Sequence, residues 1–131
     1  MRYIAVYGIL RSDLYGDAGE YAAHRRFMEP FADRVGPCKI PGVLYDAGLA
    51  ALMPGDGEVV GELWEVRQPV NEAHLARLDG LEGAYDRRTV RLIEPDVDAD
   101  AYFFNHLRGD DVLIPSGDWA DARFALWTTK S

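Results

Sequence analysis

The 131-residue chain has only one cysteine, Cys38, so no disulfide can form within it, which suits a reducing compartment. Basic side chains are also in the minority, because 14 lysines and arginines stand against 22 aspartates and glutamates, for a formal net charge of −8. Nucleic-acid backbones and anionic membrane surfaces both attract basic protein faces. We therefore expect neither nucleic acid nor a membrane among the partners of this protein.

Long apolar runs are missing as well. No stretch approaches the roughly 20 residues that a helix needs to cross a bilayer. The apolar start of the chain breaks at Gly8, which makes it too short for a secretory signal, and no small-residue cleavage site follows. These features predict a cytoplasmic protein whose chain opens with a strand.

Several common site signatures are absent. No Gly-Lys-Ser/Thr follows the early glycines, so there is no phosphate-binding loop. The aspartates at positions 96, 98 and 100 resemble the first ligands of a calcium loop, but Ala101 replaces the turn glycine and Leu107 replaces the bidentate glutamate. The three histidines have no metal-ligand spacing, and Cys38 has the context of a small buried thiol. These absences predict neither a phosphate-binding loop nor a metal site.

The residues that are present predict a compact strand-rich protein. With 48% hydrophobic and 27% charged residues, a chain of this length is expected to form one domain over residues 1–131. Apolar runs and turn residues predict strands at residues 3–7, 42–46, 58–66, 87–94 and 101–105. Pro54-Gly55-Asp56-Gly57 predicts a turn between the second and third strands, and residues 96–100 predict one between the last two.

Helical spacing of apolar residues predicts helices near residues 20–28 and 71–82. In the second, Leu75, Leu78 and Leu81 form the apolar stripe and Gly83 ends the helix. The strand at 58–66 carries apolar residues on both faces, which is typical of a strand covered on both sides, as in a closed barrel. Together these elements predict an α+β fold built on a mainly antiparallel sheet with one or two helices.

Two features could carry chemistry. Tyr-Gly-Ile-Leu-Arg at residues 7–11 follows the first strand, where Gly8 permits a sharp turn and leaves backbone N–H groups free to bind a carboxylate or an oxyanion. Glu82 is predicted in the last helical turn, near the negative end of the helix dipole, where partial burial would favour its protonated form and suit it to general acid–base work. The alternatives are an ordinary tight turn and a solvated glutamate.

These features belong to an ordered set of motifs that runs along nearly the whole chain. The set resembles the γ-glutamylcyclotransferase-like family, in its short bacterial branch related to γ-glutamylamine cyclotransferases and plant avirulence-induced-gene (AIG2-like) proteins. The motifs that carry the resemblance are residues 7–11, 42–48, 49–52, 60–66, 78–83, 85–87 and 114–119.

The resemblance implies an α+β fold, a small, mixed, mostly antiparallel β-barrel with one or two flanking helices. It also implies a reaction, an acyl transfer by ring closure. The γ-glutamyl group of a small-molecule γ-glutamyl amine or peptide cyclises to 5-oxoproline, and the free amine leaves without help from a cofactor or metal. The resemblance assigns the proton-transfer role to Glu82. It assigns substrate binding to a set of loop and strand residues, namely Tyr7, Gly8, Ile9, Leu10, Tyr85 and Tyr102.

Some assignments leave alternatives open. The tyrosines 85 and 102 could instead be packing residues of their strands. Arg87 could hold a carboxylate, or it could pair with Asp86 or Asp79. Ile9 stands where many relatives have Thr or Ser, so a hydroxyl contact is absent there. The rival to an enzyme is a non-catalytic small-molecule-binding module that keeps the same fold and cavity.

Overall fold

The computed structural model describes residues 2–8, 10–12, 27–67, 73, 75–76, 79, 85–105, 109 and 111–121. The described residues form six strands: β1 (Tyr3–Val6), β2 (Ala32–Asp46), β3 (Ala50–Val66), β4 (Tyr85–Arg91), β5 (Asp98–Phe104) and β6 (Val112–Ile114). They build one sheet in the order β4-β5-β1-β3-β2-β6. Most neighbours are antiparallel, and the exception within that order is the parallel β1–β5 pair.

Strand β3 curls the sheet on itself. Its second half pairs with β1, with Ala5 opposite Leu63, while its first half reaches β5, where Leu52 lies opposite Phe103. One strand therefore touches β5 both directly and across β1, which bends the sheet into a half-barrel. This mostly antiparallel, strand-rich architecture confirms the predicted fold class.

The predicted turn at residues 54–57 is wrong, because these residues lie within β3. Pairing with β2 continues on both sides of them, with Val43 opposite Met53 and Pro41 opposite Glu58. Four residues of β3 therefore stand opposite Gly42 alone, as a bulge that bends the hairpin rather than ending a strand.

Glycines explain why this bulge can form. Gly42 has a φ of +151°, and a Cβ at Gly57 would lie 2.8 Å from the Gly42 carbonyl oxygen. The chain reverses instead at residues 47–49, where the Ala47 N–H donates to the Leu49 carbonyl at 3.0 Å. Gly48, with a φ of +83°, supplies the left-handed conformation that this turn requires.

Both faces of the central strands are buried, as the apolar pattern of residues 58–66 predicts. One face packs Ala5, Ile40 and Leu63 into a cluster inside the curl. The opposite face packs Ile4 and Trp64, with others, into a second cluster. Double burial therefore comes from a curled sheet whose outer face is covered by further chain.

The other element bounds also differ from the predictions, because β2 and β3 begin ten and eight residues before the strands predicted at 42–46 and 58–66. Strand β1 confirms the predicted first strand, whereas β4 and β5 each begin earlier than predicted. The connection between β4 and β5 covers residues 92–97, so Asp98 and Asp100 belong to β5 and not to a turn. Asp100 can be buried in a strand because Arg2 and Thr89 donate to its carboxylate at 2.9 and 2.7 Å.

Little of the predicted helices falls on described residues. Residues 73, 75, 76 and 79 are helical and Leu75 is buried, in agreement with the second predicted helix, while Leu78, Leu81 and Gly83 lie outside the described residues. Of the helix predicted at 20–28, only residues 27 and 28 are described, and residue 27 is helical. In the part of the chain that the structure describes, no helix has the length and apolar character needed to cross a membrane.

Candidate active site

Tyr7 follows β1 directly and joins three strands. Its hydroxyl donates to the Tyr102 carbonyl of β5 at 2.5 Å and accepts the N–H of Leu52 in β3 at 3.3 Å. The side chain is almost fully buried in the inner cluster. Tyr7 therefore sets where the chain leaves β1, since its phenol ties that point to both strands that β1 meets.

Gly8 begins a tight turn, which the Arg11 N–H closes by donating to the Gly8 carbonyl at 3.0 Å. The φ of Gly8 lies outside the left-handed region, so the turn does not require a glycine for its backbone conformation. It requires one for space, because a Cβ at Gly8 would lie 2.8 Å from the Cβ of Ala50. The sequence-based reason for this glycine, a sharp turn, is therefore replaced by a close contact with the start of β3.

Tyr85 reaches the same contact from β4. Its hydroxyl donates to the Ala50 carbonyl at 2.5 Å, and its ring packs edge-on against Phe104 with 5.2 Å between centroids. Tyr85 therefore holds Ala50, the residue against which Gly8 packs. Leu10, also in the turn, is buried in the outer cluster together with Tyr102.

Tyr102 faces Arg87 across the β4–β5 pair. The Tyr102 hydroxyl donates to Asp79 Oδ1 at 2.6 Å, and Arg87 Nε lies 3.4 Å from the same oxygen. Asp86 pairs instead with Arg88, at 3.9 Å. Of the two aspartates considered for Arg87, the structure therefore selects Asp79.

Arg87 also has one hydrogen-bond donor that makes no hydrogen bond among the described residues. Its Nη1 atom is buried and has no hydrogen-bond partner in the structure of the described residues. A buried guanidinium N–H without a partner is costly, and carboxylates are its preferred acceptors. Beside its pair with Asp79, Arg87 therefore has one donor, Nη1, that could bond an anionic group.

Two of the predicted site residues, Glu82 and Ile9, lie outside the described residues. The structure brings the other five together: Tyr7, Gly8, Leu10, Tyr85 and Tyr102. Asp79, bonded to Tyr102, precedes Glu82 by three residues in the chain.

The sequence reasoning missed a buried polar group beside this turn. Arg11, Ser12 and Glu62 are each exposed by 5% or less. Arg11 Nη1 donates to Asp118 Oδ1 at 2.8 Å. The sequence contained one signal for this group. Glu62 is a charged residue on the same face of its strand as the apolar Trp64 and Val66, and charged residues are rarely buried unless they are paired.

Cys38 is buried next to this polar group, as expected for a small buried thiol. Burial raises the pKa of the Cys38 thiol to about 12, the Glu62 carboxylate adds to the increase, and Arg11 opposes it. The thiol is therefore protonated at neutral pH and is no nucleophile. Among the described residues, no three His, Cys, Asp or Glu side chains group as metal ligands.

Fold and sequence together define the class of protein. Residues 4–121 match the family model described as gamma-glutamyl cyclotransferase, AIG2-like. That match spans most of the 131 residues, and the chain belongs to this family.

Individual proteins resemble this chain in sequence or in fold. The chain is 38% identical over 96 residues to a Halalkalibacterium halodurans protein named "Putative gamma-glutamylcyclotransferase BH1612", covering 64% of this chain and 83% of that one. A structure of the protein PH0828 from Pyrococcus horikoshii aligns with a TM-score of 0.68 at 24% identity, over 98% of both chains. A mouse AIG2-like protein aligns with a TM-score of 0.57 at 23% identity, over 84% of this chain and 81% of that one. The two solved structures show a shared fold.

Proposed function

We propose that this protein is a γ-glutamyl cyclotransferase, which converts the γ-glutamyl group of a γ-glutamyl amine or peptide to 5-oxoproline and releases the free amine. Membership of the family supports this reaction. The observation that carries it is the hydrogen-bonded group formed by Tyr7, Tyr102 and Asp79, beside the contact of Gly8 with Ala50. This group brings Tyr7, where the turn after β1 starts, together with Asp79, which precedes Glu82 by three residues in the chain.

The turn is suited to hold the substrate and to stabilise charge. Its backbone N–H groups, at residues 8–10, would bind the substrate carboxylate or the oxyanion that forms at the γ-carbonyl. The unpartnered Nη1 of Arg87 is a second donor for an anionic substrate group. Holding the glutamyl arm folded places its amine against its own carbonyl, and such intramolecular placement can supply about 7–11 kcal/mol of the barrier.

Glu82 would carry the protons. The substrate α-ammonium must lose a proton before its nitrogen can attack the γ-carbonyl carbon. A new C–N bond then closes the ring, and the bond to the leaving amine breaks as the oxyanion collapses. The ring nitrogen then loses a second proton to become the lactam N–H, and the leaving nitrogen takes up two protons in all and departs as an ammonium. A carboxylate that accepts protons from the ring nitrogen and donates them to the leaving nitrogen therefore completes the cycle without net consumption of water or protons.

The test is release of 5-oxoproline from a panel of γ-glutamyl amines and γ-glutamyl peptides. We expect wild-type protein to release it from at least one member and Glu82→Gln to abolish release while keeping the melting temperature. A matched control is Glu94→Gln, which removes a charge from a side chain that is 71% exposed. Retained turnover in Glu82→Gln would remove Glu82 from the mechanism.

The competing function is a non-catalytic module that binds a γ-glutamyl compound. It shares the turn and the Arg87 donor, so the two functions differ only in turnover. Calorimetry with the same panel separates them. Binding by wild-type protein without release of 5-oxoproline would identify the module and reject the enzyme.

A further inference from the structure

The buried carboxylate of Glu62 lies in β3, on the face that packs into the outer cluster, and it is the acceptor of three hydrogen bonds. The Ser12 N–H donates to its Oε1 at 3.0 Å, the Ser12 hydroxyl donates to its Oε2 at 2.6 Å, and Trp64 Nε1 donates to Oε1 at 2.9 Å. Glu62 is only 5% exposed. Burying a carboxylate is costly unless its oxygens are bonded in this way.

Two of these three bonds come from Ser12, which directly follows the turn that Gly8 begins. Arg34 Nη1 donates to the Ser12 hydroxyl at 2.7 Å, which leaves that hydroxyl free to give its own proton to Glu62. Next to Ser12, the buried Arg11 side chain is bonded to Asp118. The turn is therefore held at its end by the bonds of Arg11 and Ser12, as well as at its start, where Gly8 packs closely against Ala50.

We propose that Glu62 is a positioning residue for the proposed reaction, because its carboxylate holds Ser12 and thereby sets the placement of the backbone N–H groups of Gly8 and Leu10. This inference rests on the proposed function for its catalytic consequence, while the anchoring itself rests on the contacts of Glu62. Backbone donors are effective only when they are held in place, since a displacement of about 1 Å can cost about 100-fold in rate. Glu62 acts through the turn and does not itself contact the substrate.

Glutamine is the sharpest substitution. Glu62→Gln keeps the size of the side chain, but it puts an N–H donor where an acceptor stood, either toward the Ser12 hydroxyl or toward the Ser12 N–H. Ser12→Ala removes the hydroxyl bond alone. Ser12→Thr restores a hydroxyl and serves as the rescue variant. Trp64→Phe is the matched control, because it removes the third bond to the same carboxylate and leaves both bonds between Glu62 and Ser12 in place.

The kinetic readout is the Michaelis constant for the substrate found in the panel above. A variant that merely unfolds in part loses active molecules, which lowers kcat and leaves KM unchanged. A displaced turn binds the substrate carboxylate less well and therefore raises KM. We expect KM to rise about ten-fold in Glu62→Gln and Ser12→Ala, in line with one lost bond to a charged group. We expect the KM of Ser12→Thr and of Trp64→Phe to stay within about two-fold of the wild-type KM, as for a nearly neutral substitution.

Amide hydrogen exchange over residues 8–12 supplies a readout that needs no turnover. We expect faster exchange there in Glu62→Gln and Ser12→Ala than in Trp64→Phe. Unchanged KM in the first two variants overturns the inference. If wild-type protein converts no member of the panel, the proposed function fails, and exchange alone decides the anchoring: faster exchange retains Glu62 as the anchor of the turn, and unchanged exchange removes it.

Discussion

The contact between Gly8 and Ala50 can be tested by adding a single methyl group. In Gly8→Ala the new Cβ would lie 2.8 Å from the Ala50 Cβ, whereas ordinary contacts begin at 3.4 Å. The two backbones must therefore separate by about 0.6 Å, the difference between those distances. Ala50 cannot give way freely, because Tyr85 holds its carbonyl at 2.5 Å.

Strain of this kind has a predictable size. Extra volume in a well-packed site costs about 1–3 kcal/mol of unfolding free energy. With a urea slope of about 2 kcal/mol/M, a loss of about 2 kcal/mol lowers the unfolding midpoint by about 1 M. Release of 5-oxoproline should fall more steeply than stability, by about 10- to 100-fold, because the methyl group pushes the proposed binding turn off its position.

The control is the reciprocal change. Ala50→Gly removes the opposing methyl group and by itself costs about 1 kcal/mol through lost burial and a more flexible strand. In the double variant the added methyl fills the space that was vacated, so the two changes should be non-additive by at least about 1 kcal/mol. Activity should recover together with stability. Additive losses, or a Gly8→Ala variant with wild-type stability and activity, would refute the close-contact explanation for Gly8.

Three further predictions concern other parts of the structure. Cys38 should resist alkylation in the native state at pH 8. Because folding raises the pKa of its thiol from 9.0 to about 12, the contribution of Cys38 to stability should be full below pH 9 and be lost between pH 9 and 12. Urea titrations at several pH values should show this loss in wild type and not in Cys38→Ala. Tyr102→Phe removes the 2.6 Å bond to Asp79 and should cost about 1.5–3 kcal/mol in urea unfolding, an expectation that a neutral result would contradict. Gly117→Ala should lower the melting temperature by about 8 °C or more, because Gly117 has a φ of +70° and an added Cβ would clash with the Glu58 carbonyl oxygen. An unchanged melting temperature would show that this loop can shift without cost.

The sequence predicted the fold class because local patterns report burial directly. The apolar residues on both faces of 58–66 predicted a strand covered on both sides, and Leu63 and Trp64 indeed pack into opposite clusters. The first strand was predicted to within one residue, since Gly8 ends its apolar run. Periodicity of this kind depends on a strand's own side chains and needs no knowledge of its partners.

The bulge at residues 54–57 could not be predicted in the same way. Proline and glycine there indicate a change of direction, but whether a strand ends or merely bends depends on the strand opposite. Here β2 resumes its pairing with β3 at Pro41 and Glu58, which keeps both halves in one strand. Strand β6 was missed for a similar reason, because three residues carry little pattern and become a strand only by pairing with Leu44–Asp46.

For the candidate site, the family resemblance supplied the predicted residues, including Tyr7, Gly8, Tyr85 and Tyr102. What each one contacts was decided by the tertiary structure. The need for glycine at position 8 arises from Ala50, and the acceptor for Tyr102 is Asp79, 23 residues away. Ser12 meets Glu62 across 50 residues, so no local pattern could pair them. Sequence patterns report which faces of a segment avoid water, whereas contacts between distant segments exist only after the sheet has curled.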